Sequence, residues 1–273
     1  MTPPVIDGAF ARWLAGRAGE LLMRTRTEMG YGDPGALKAA GDKLSHELIR
    51  ADLARYRPAD AVLSEEDAGS RVIGSQVDRL SAKRVWIVDP VDGTREYSEE
   101  GREDWAVHIA LWGRHSTAPH QLLAGAVALP AQHRILGTDY PPPYPPMTAE
   151  ASRAAAAGSY RIRLAASRSR PPAFLAELAE TVGAELVPMG SAGAKIAAVI
   201  GGEVDAYVHA GGQYEWDSAA PVAVATATGL HASRVDGSGL RYNESDPKLP
   251  DLLVCRKDLA GRLLAALRPL LLT

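Results

Sequence analysis

Arg84-Val85-Trp86-Ile87-Val88-Asp89-Pro90-Val91-Asp92-Gly93-Thr94-Arg95-Glu96-Tyr97-Ser98 is the stretch that decides how the chain reads. An apolar run at 85–88 ends in two carboxylates, Asp89 and Asp92. Val and Ile favour a pleated, buried strand, whereas Pro has no N–H to give to a ladder. The pattern predicts a strand over 84–88 that delivers acids to an edge and then stops. The two carboxylates and the Val91 carbonyl form a cluster of hard oxygen ligands, which suits Mg²⁺. The same string is compatible with an ordinary turn, because Pro, Asp and Gly each favour turns.

Two further acidic groups follow the same logic. Leu63-Ser64-Glu65-Glu66-Asp67 closes a short apolar stretch at 60–63, again a strand ending in acids. Such a triplet can be a solvated loop, but at a strand end one member can reach a metal. Tyr214-Glu215-Trp216-Asp217-Ser218-Ala219-Ala220-Pro221 opens an Ala-rich run that stops near Gly229. Asp is a favoured N-cap and Pro is accepted in a first turn, so a helix is predicted from about Asp217. Capping alone would account for Asp217. A carboxylate there also lies at the positive helix end, where anions gather.

These three segments resemble the signatures of the inositol monophosphatase superfamily, in its order and at its usual separations. That superfamily comprises Mg²⁺-dependent, often lithium-sensitive phosphomonoesterases. Arg95-Glu96-Tyr97, the Gly190-Ser191-Ala192-Gly193-Ala194-Lys195 turn and Ala165-Ala166-Ser167-Arg168-Ser169 resemble its CysQ-type 3'(2'),5'-bisphosphate nucleotidases, actinobacterial ones most of all. The resemblance implies a layered α-β-α-β-α sugar-phosphatase-like sandwich and a place in sulfur metabolism. It also implies a small phosphorylated substrate, two or three Mg²⁺ per active site, and a homodimer.

By the same resemblance, Glu65, Asp89 and the Val91 carbonyl hold one metal, and Asp89, Asp92 and Asp217 hold a second. Thr94 and Asp42 correspond to the pair that orients the attacking water, with Asp42 or Glu65 taking its proton. Asp42 is also a candidate neighbour of a third metal. The Gly93 and Thr94 amides would cradle the phosphate. The substrate contacts implied are Glu65, Val91, Asp92, Gly93, Thr94, Arg95, Ser167, Arg168, Lys195 and Asp217. Arg95, Arg168 and Lys195 are the candidates for a second phosphate, each otherwise an ordinary solvated cation. His209 stands where related nucleotidases often carry Arg, which leaves substrate details open.

The 273 residues allow one large domain or two smaller ones, and 46% hydrophobic content supports a sizeable core. With 30 basic and 33 acidic residues and no basic tract, a nucleic-acid polymer is not an expected partner. The single cysteine, Cys255, excludes an internal disulfide and is expected to be buried at a strand end. The N-terminal residues lack the basic and long apolar regions of a secretion signal. The apolar stretch at 263–272 is interrupted by Arg268 and Pro269 and is too short to span a bilayer. A cytoplasmic protein with no membrane partner is expected.

Apolar spacing predicts a helix over 7–29 and another over 42–56, with Asp42 as N-cap. Strands are predicted near 60–63, 84–88, 105–112 and 122–129, the last two antiparallel behind the acidic loop. His108 reads as a packed strand residue. Prolines between 141 and 146 break regular structure, and a subdomain boundary is placed at about 155, separating 1–155 from 156–273. Beyond it, strands at 161–166, 184–188, 204–209 and 252–255 alternate with helices at 171–182, 191–200, 217–228 and 259–267. The fold class is therefore α/β, with an α+β N-terminal half.

Three other readings compete. A haloacid-dehalogenase-type phosphatase needs two aspartates two apart, whereas Asp89 and Asp92 are three apart, and it has no use for Glu65 or Asp217. A non-catalytic metal- or nucleotide-binding regulator would be expected to lose Thr94 or a carboxylate. A fructose-1,6-bisphosphatase or inositol phosphatase would use the same metals and differ only around Arg95-Glu96-Tyr97 and Lys195.

Overall fold

The computed structural model describes residues 2–67, 77–147, 153–154, 157–169 and 171–271. Helices α1 (Asp7–Met29) and α2 (Pro34–Tyr56) form an outer layer. α1 buries Phe10, Leu14 and Leu22, as its spacing predicts. α2 starts earlier than its apolar pattern suggests. Asp33 caps it by accepting the Ala36 N–H at 2.9 Å, and Pro34 occupies the first turn, where a missing N–H costs nothing. Asp42 is consequently a mid-helix residue and not a cap.

The first sheet contains β1 (Ala61–Ser64), β2 (Arg84–Asp92), β3 (Ala106–Gly113), β4 (Leu122–Leu129) and β5 (Arg134–Gly137), in that spatial order. β1 and β2 are parallel and the remaining pairs antiparallel. Short helices α3 (Val77–Ser81) and α4 (Thr94–Tyr97) flank β2. Trp86 and Val88 pack towards α1 and α2, while Val85 and Ile87 face the opposite layer. A strand covered on both faces reads as an unbroken apolar run, which is why β2 is so plain in the sequence.

The second sheet holds β6 (Ile162–Ser167), β7 (Ala184–Met189), β8 (Ala206–Tyr214), β9 (His231–Ser233) and β10 (Lys248–Cys255), ordered β7-β6-β8-β10-β9. β6 is parallel to both neighbours, whereas β10 is antiparallel to both of its own. The helices of this half are α5 (Phe174–Val182), α6 (Ala192–Gly201), α7 (Glu215–Thr228) and α8 (Lys257–Leu271). α6 and α7 lie between the sheets and bury Ile196, Val199, Trp216 and Val222 against apolar groups of both. Each fully buried side chain of this kind contributes about 1.5–3 kcal/mol relative to exposure. α5 and α8 cover the far face through Leu175, Leu178, Leu263 and Leu267.

The architecture is thus the expected α-β-α-β-α sandwich. Several bounds differ from the sequence reading. α5 begins at Phe174, after Pro171 and Pro172, since a residue before proline is steered away from helix. β8 and β10 are longer than predicted, and β5 and β9 are too short to show a period. The boundary expected at about residue 155 lies outside the described residues. Cys255 is buried at the end of β10. Among the described residues no helix is long and apolar enough to cross a membrane.

Candidate active site

β2 does not stop at Val88; it continues to Asp92 through a bulge. Opposite it, Asp89 pairs with His108 and Asp92 with Ala106, so three steps along β2 match two along β3. In a regular strand, residues three apart point to opposite faces. The extra residue at Pro90–Val91 turns Asp92 towards the same side as Asp89. Pro90 is tolerated because a bulge leaves one residue without a ladder partner. Its carbonyl accepts the Ser45 hydroxyl of α2 at 2.8 Å, and the Val91 N–H donates to Asp89 Oδ1 at 3.1 Å.

Asp217 joins this pair from the other half of the chain. α7 begins at Glu215, not at Asp217, and Asp217 reaches back so that its Oδ2 accepts the Tyr214 N–H at 2.6 Å. Glu215 is buried and accepts the Asn243 and Glu244 N–H groups at 2.6 and 2.8 Å, which pins the helix start. Asp89, Asp92 and Asp217 each place a carboxylate oxygen within 4.8 Å of the others.

The electrostatics of these acids are divided. Burial, followed by the charges of Glu65, Asp92 and Asp217, holds Asp89 well above the usual carboxylate range. Burial and then Asp92 push Asp217 up to about 7. Burial also opposes ionisation of Asp92, but His108, the Gly193 amide and the Ser191 hydroxyl outweigh it and bring the group down to about 2. A cation among the three would relieve the repulsion that disfavours full ionisation.

Glu65 follows β1, and its N–H donates to the Val88 carbonyl at 3.2 Å. That bond seats it beside Asp89, whose ionisation its charge opposes. Asp42 projects from α2 towards the same turn. Burial, then Glu66 and Glu65, push it up to about 7. Glu66, an exposed residue, is therefore close enough to act on Asp42. Thr94 opens α4 behind Gly93, whose φ of 87° and 2.9 Å clearance for a Cβ against Ser191 both require glycine. No hydrogen bond joins Thr94 to Asp42 among the described residues.

A cavity of about 280 Å³ opens from the acids, with Asp92 and Asp217 at one side and Arg95, Ser167, Lys195 and His209 among its other walls. Lys195 is buried, and its ammonium donates to the Gly190 and Ser191 carbonyls at 2.6 and 2.7 Å. Arg168 is not among the lining residues. Its guanidinium bonds Glu96 at 2.9 Å and both oxygens of Glu99 at 3.0 and 2.9 Å. Arg95 is exposed at the cavity.

Sequence reasoning assigned His108 only to packing. It is fully buried, with Nδ1 3.0 Å from the Trp216 carbonyl and Nε2 3.2 Å from Asp92 Oδ2. Burial opposes its charge, yet the Asp92 carboxylate raises its pKa above the ordinary histidine value. The legible clue was that His108 interrupts an otherwise apolar strand.

Three carboxylates that converge beside a cavity in this sandwich make a site suited to a divalent cation. The chain belongs to the inositol monophosphatase family, whose model matches residues 9–271. It is 48% identical to a 3'-phosphoadenosine 5'-phosphate phosphatase of Mycobacterium leprae, over 96% of this chain and 93% of that protein. A protein of the same description from Mycobacterium tuberculosis is 49% identical over 92% of this chain and 89% of its own. The 3'(2'),5'-bisphosphate nucleotidase CysQ of Escherichia coli is 29% identical over 74% of this chain and 78% of its length. Among solved structures, Mycobacterium tuberculosis SuhB superposes with a TM-score of 0.69 at 23% identity, covering 98% of both chains. CysQ of Bacteroides thetaiotaomicron gives 0.67 at 25% identity, over 90% of this chain and 96% of that one.

Proposed function

We propose that this protein is a Mg²⁺-dependent phosphomonoesterase that removes the 3'-phosphate of adenosine 3',5'-bisphosphate, or of its phosphosulfate, leaving AMP or adenylyl sulfate. The observation that carries this reading is near-50% identity, along almost the whole chain, to phosphatases described as acting on 3'-phosphoadenosine 5'-phosphate. The fit of a metal is supported by the acids themselves: Asp89 and Asp217 are both held above the usual range, in part by the charges of their neighbours. Asp89, Asp92, Asp217, Glu65 and the Val91 carbonyl are the proposed ligands for two or three Mg²⁺. Bound there, Mg²⁺ would activate a water and stabilise the leaving oxygen.

In this reading, Asp42 and Glu65 stand ready to accept the proton of the attacking water. Burial and the Glu66 and Glu65 charges, which raise the Asp42 carboxyl to about 7 in the metal-free protein, favour its taking up a proton. Thr94 would orient the water, with the Gly93 and Thr94 amides on the phosphate. Arg95 and Ser167 would hold the second phosphate, since both line the cavity and Arg95 is the exposed cation there. Lys195 and Arg168 would act on the substrate indirectly, Lys195 through the turn that holds Asp92 and Arg168 through Glu96 at the cavity. The two halves, divided near residue 155, would close the site between them. A cytoplasmic homodimer is the assembly proposed, measurable by light scattering.

The decisive experiment compares kcat/KM on adenosine 3',5'-bisphosphate, inositol 1-phosphate and fructose 1,6-bisphosphate. A preference for the nucleotide of at least tenfold is expected. Preference for either sugar phosphate would reassign the substrate.

A further inference from the structure

One imidazole touches both halves of the acidic cluster. His108 sits on β3 directly opposite Asp89 in register. Its Nδ1 lies 3.0 Å from the carbonyl oxygen of Trp216, the residue before Asp217. Its Nε2 lies 3.2 Å from Asp92 Oδ2, an ion-pair contact out of line for a hydrogen bond. Among the described residues, the hydrogen bonds to the Asp92 carboxylate come from the start of α6: the Ser191 hydroxyl at 2.7 Å and the Ala192 and Gly193 amides at 3.2 and 2.6 Å. His108 therefore spans from the bulged strand that carries Asp92 to the helix start that carries Asp217. A Cβ on Gly193 would lie 2.0 Å from Nε2, so the backbone there closes on the imidazole as nearly as atoms allow.

We propose that His108 is a positioning residue: its ring sets the separation between Asp92 and the Asp217 helix start, and through it the affinity of the protein for a divalent cation. The inference rests on reading Asp89, Asp92 and Asp217 as cation ligands. Burial fixes the ring, since a fully enclosed side chain has no room to adopt another rotamer without displacing its neighbours. Partners that orient metal ligands typically change affinity by 10–100-fold when lost.

The test measures Mn²⁺ binding to the substrate-free protein by electron paramagnetic resonance, for wild type, His108→Gln and His108→Phe. Phe fills the volume without a polar atom, whereas Gln can still offer an N–H to the Trp216 carbonyl. His108→Phe should weaken Mn²⁺ by about 10–100-fold, and His108→Gln should recover most of that loss. His108→Leu, also without a polar atom and smaller than the aromatic ring, should weaken Mn²⁺ similarly even where His108→Phe fails to fold. Circular dichroism establishes that each variant is folded. If wild type binds Mn²⁺ and the folded His108→Phe or His108→Leu binds it equally well, the positioning role is wrong. If wild type itself binds no Mn²⁺, the metal reading fails instead.

Discussion

The Lys195 ammonium donates to the Ser191 carbonyl at 2.7 Å, and Ser191 in turn donates its hydroxyl to Asp92 Oδ2 at 2.7 Å. Ser191 adopts a φ of 27°, an uncomfortable conformation for a residue with a Cβ. Lys195 ties down that turn with a second bond to the Gly190 carbonyl at 2.6 Å. A cation that a sequence suggests for substrate recognition is thus committed to the backbone that holds a proposed metal ligand.

This geometry changes what Lys195→Met should do. Losing charge-assisted bonds of this kind costs about 1.5–3 kcal/mol, so kcat/KM should fall by roughly 10–100-fold. The fall should be similar on adenosine 3',5'-bisphosphate and inositol 1-phosphate. A loss confined to the bisphosphate would show that Lys195 contacts the second phosphate directly.

Asp89→Asn should abolish turnover, because Asp89 lies at the centre of the acids, 1% exposed, and is the proposed bridge between metals. The loss should exceed the roughly 10–100-fold typical of a mere supporting partner. Glu66→Gln should be mild, within about threefold, since its exposed carboxylate acts only at a distance on Asp42. Steady-state kinetics at saturating Mg²⁺ decides; comparable defects in both would mean the wrong carboxylate has been assigned.

Arg168 balances two carboxylates, and Glu96 among them is only 5% exposed and lines the cavity. Arg168→Gln should leave that carboxylate uncompensated where an anionic substrate must bind. KM should rise about tenfold, equivalent to ~1.4 kcal/mol, with kcat little changed. Adding Glu96→Gln should restore much of the loss. No recovery in the double variant would place Arg168 on the substrate itself.

Without metal, stability should fall as pH rises. Asp217 stands at about 7 in the folded protein against an ordinary 3.8, so between those values the folded state binds more protons than the unfolded one. The stabilisation is complete below about pH 4 for this group and is lost as pH rises through 7. Asp89 acts in the same direction, as does His108, whose raised value adds stability that is lost above it. Asp92 acts oppositely only towards its value of about 2; His120, His209 and His231, lowered by burial, oppose the trend below the ordinary histidine value, and Asp42 and Glu215, both raised to about 7, outweigh them. In chelator, the melting temperature should therefore be lower at pH 8 than at pH 5.5, and Mg²⁺ should raise it more at pH 8. A Mg²⁺ effect larger at pH 5.5 would contradict the ionisation pattern.

Much of the sandwich was legible because its inner strands and helices are covered on both sides. The run Val85-Trp86-Ile87-Val88 and the Ala-rich stretch after Asp217 carry that burial in their composition. The start of α2 was misplaced because the Asp33-Pro34 signal precedes a weakly apolar first turn, so the stronger apolar spacing further on drew the boundary to Asp42. β5 and β9 are edge strands of four and three residues, held by pairing with a neighbour more than by their own pattern.

By itself the sequence determined which acids are present and that they end strands or open a helix, since local propensity and hydrophobic period are properties of adjacent residues. Only the tertiary structure decided which way those acids point and what supports them. The bulge at Pro90–Val91 exists through register with β3, and Asp92 meets Ser191, Gly193 and His108 from segments far away in the chain. Lys195 and Arg168 have the same side chains as substrate-binding cations would. Whether those charges face a ligand, a carbonyl or a carboxylate depends on packing between layers, which no local pattern encodes.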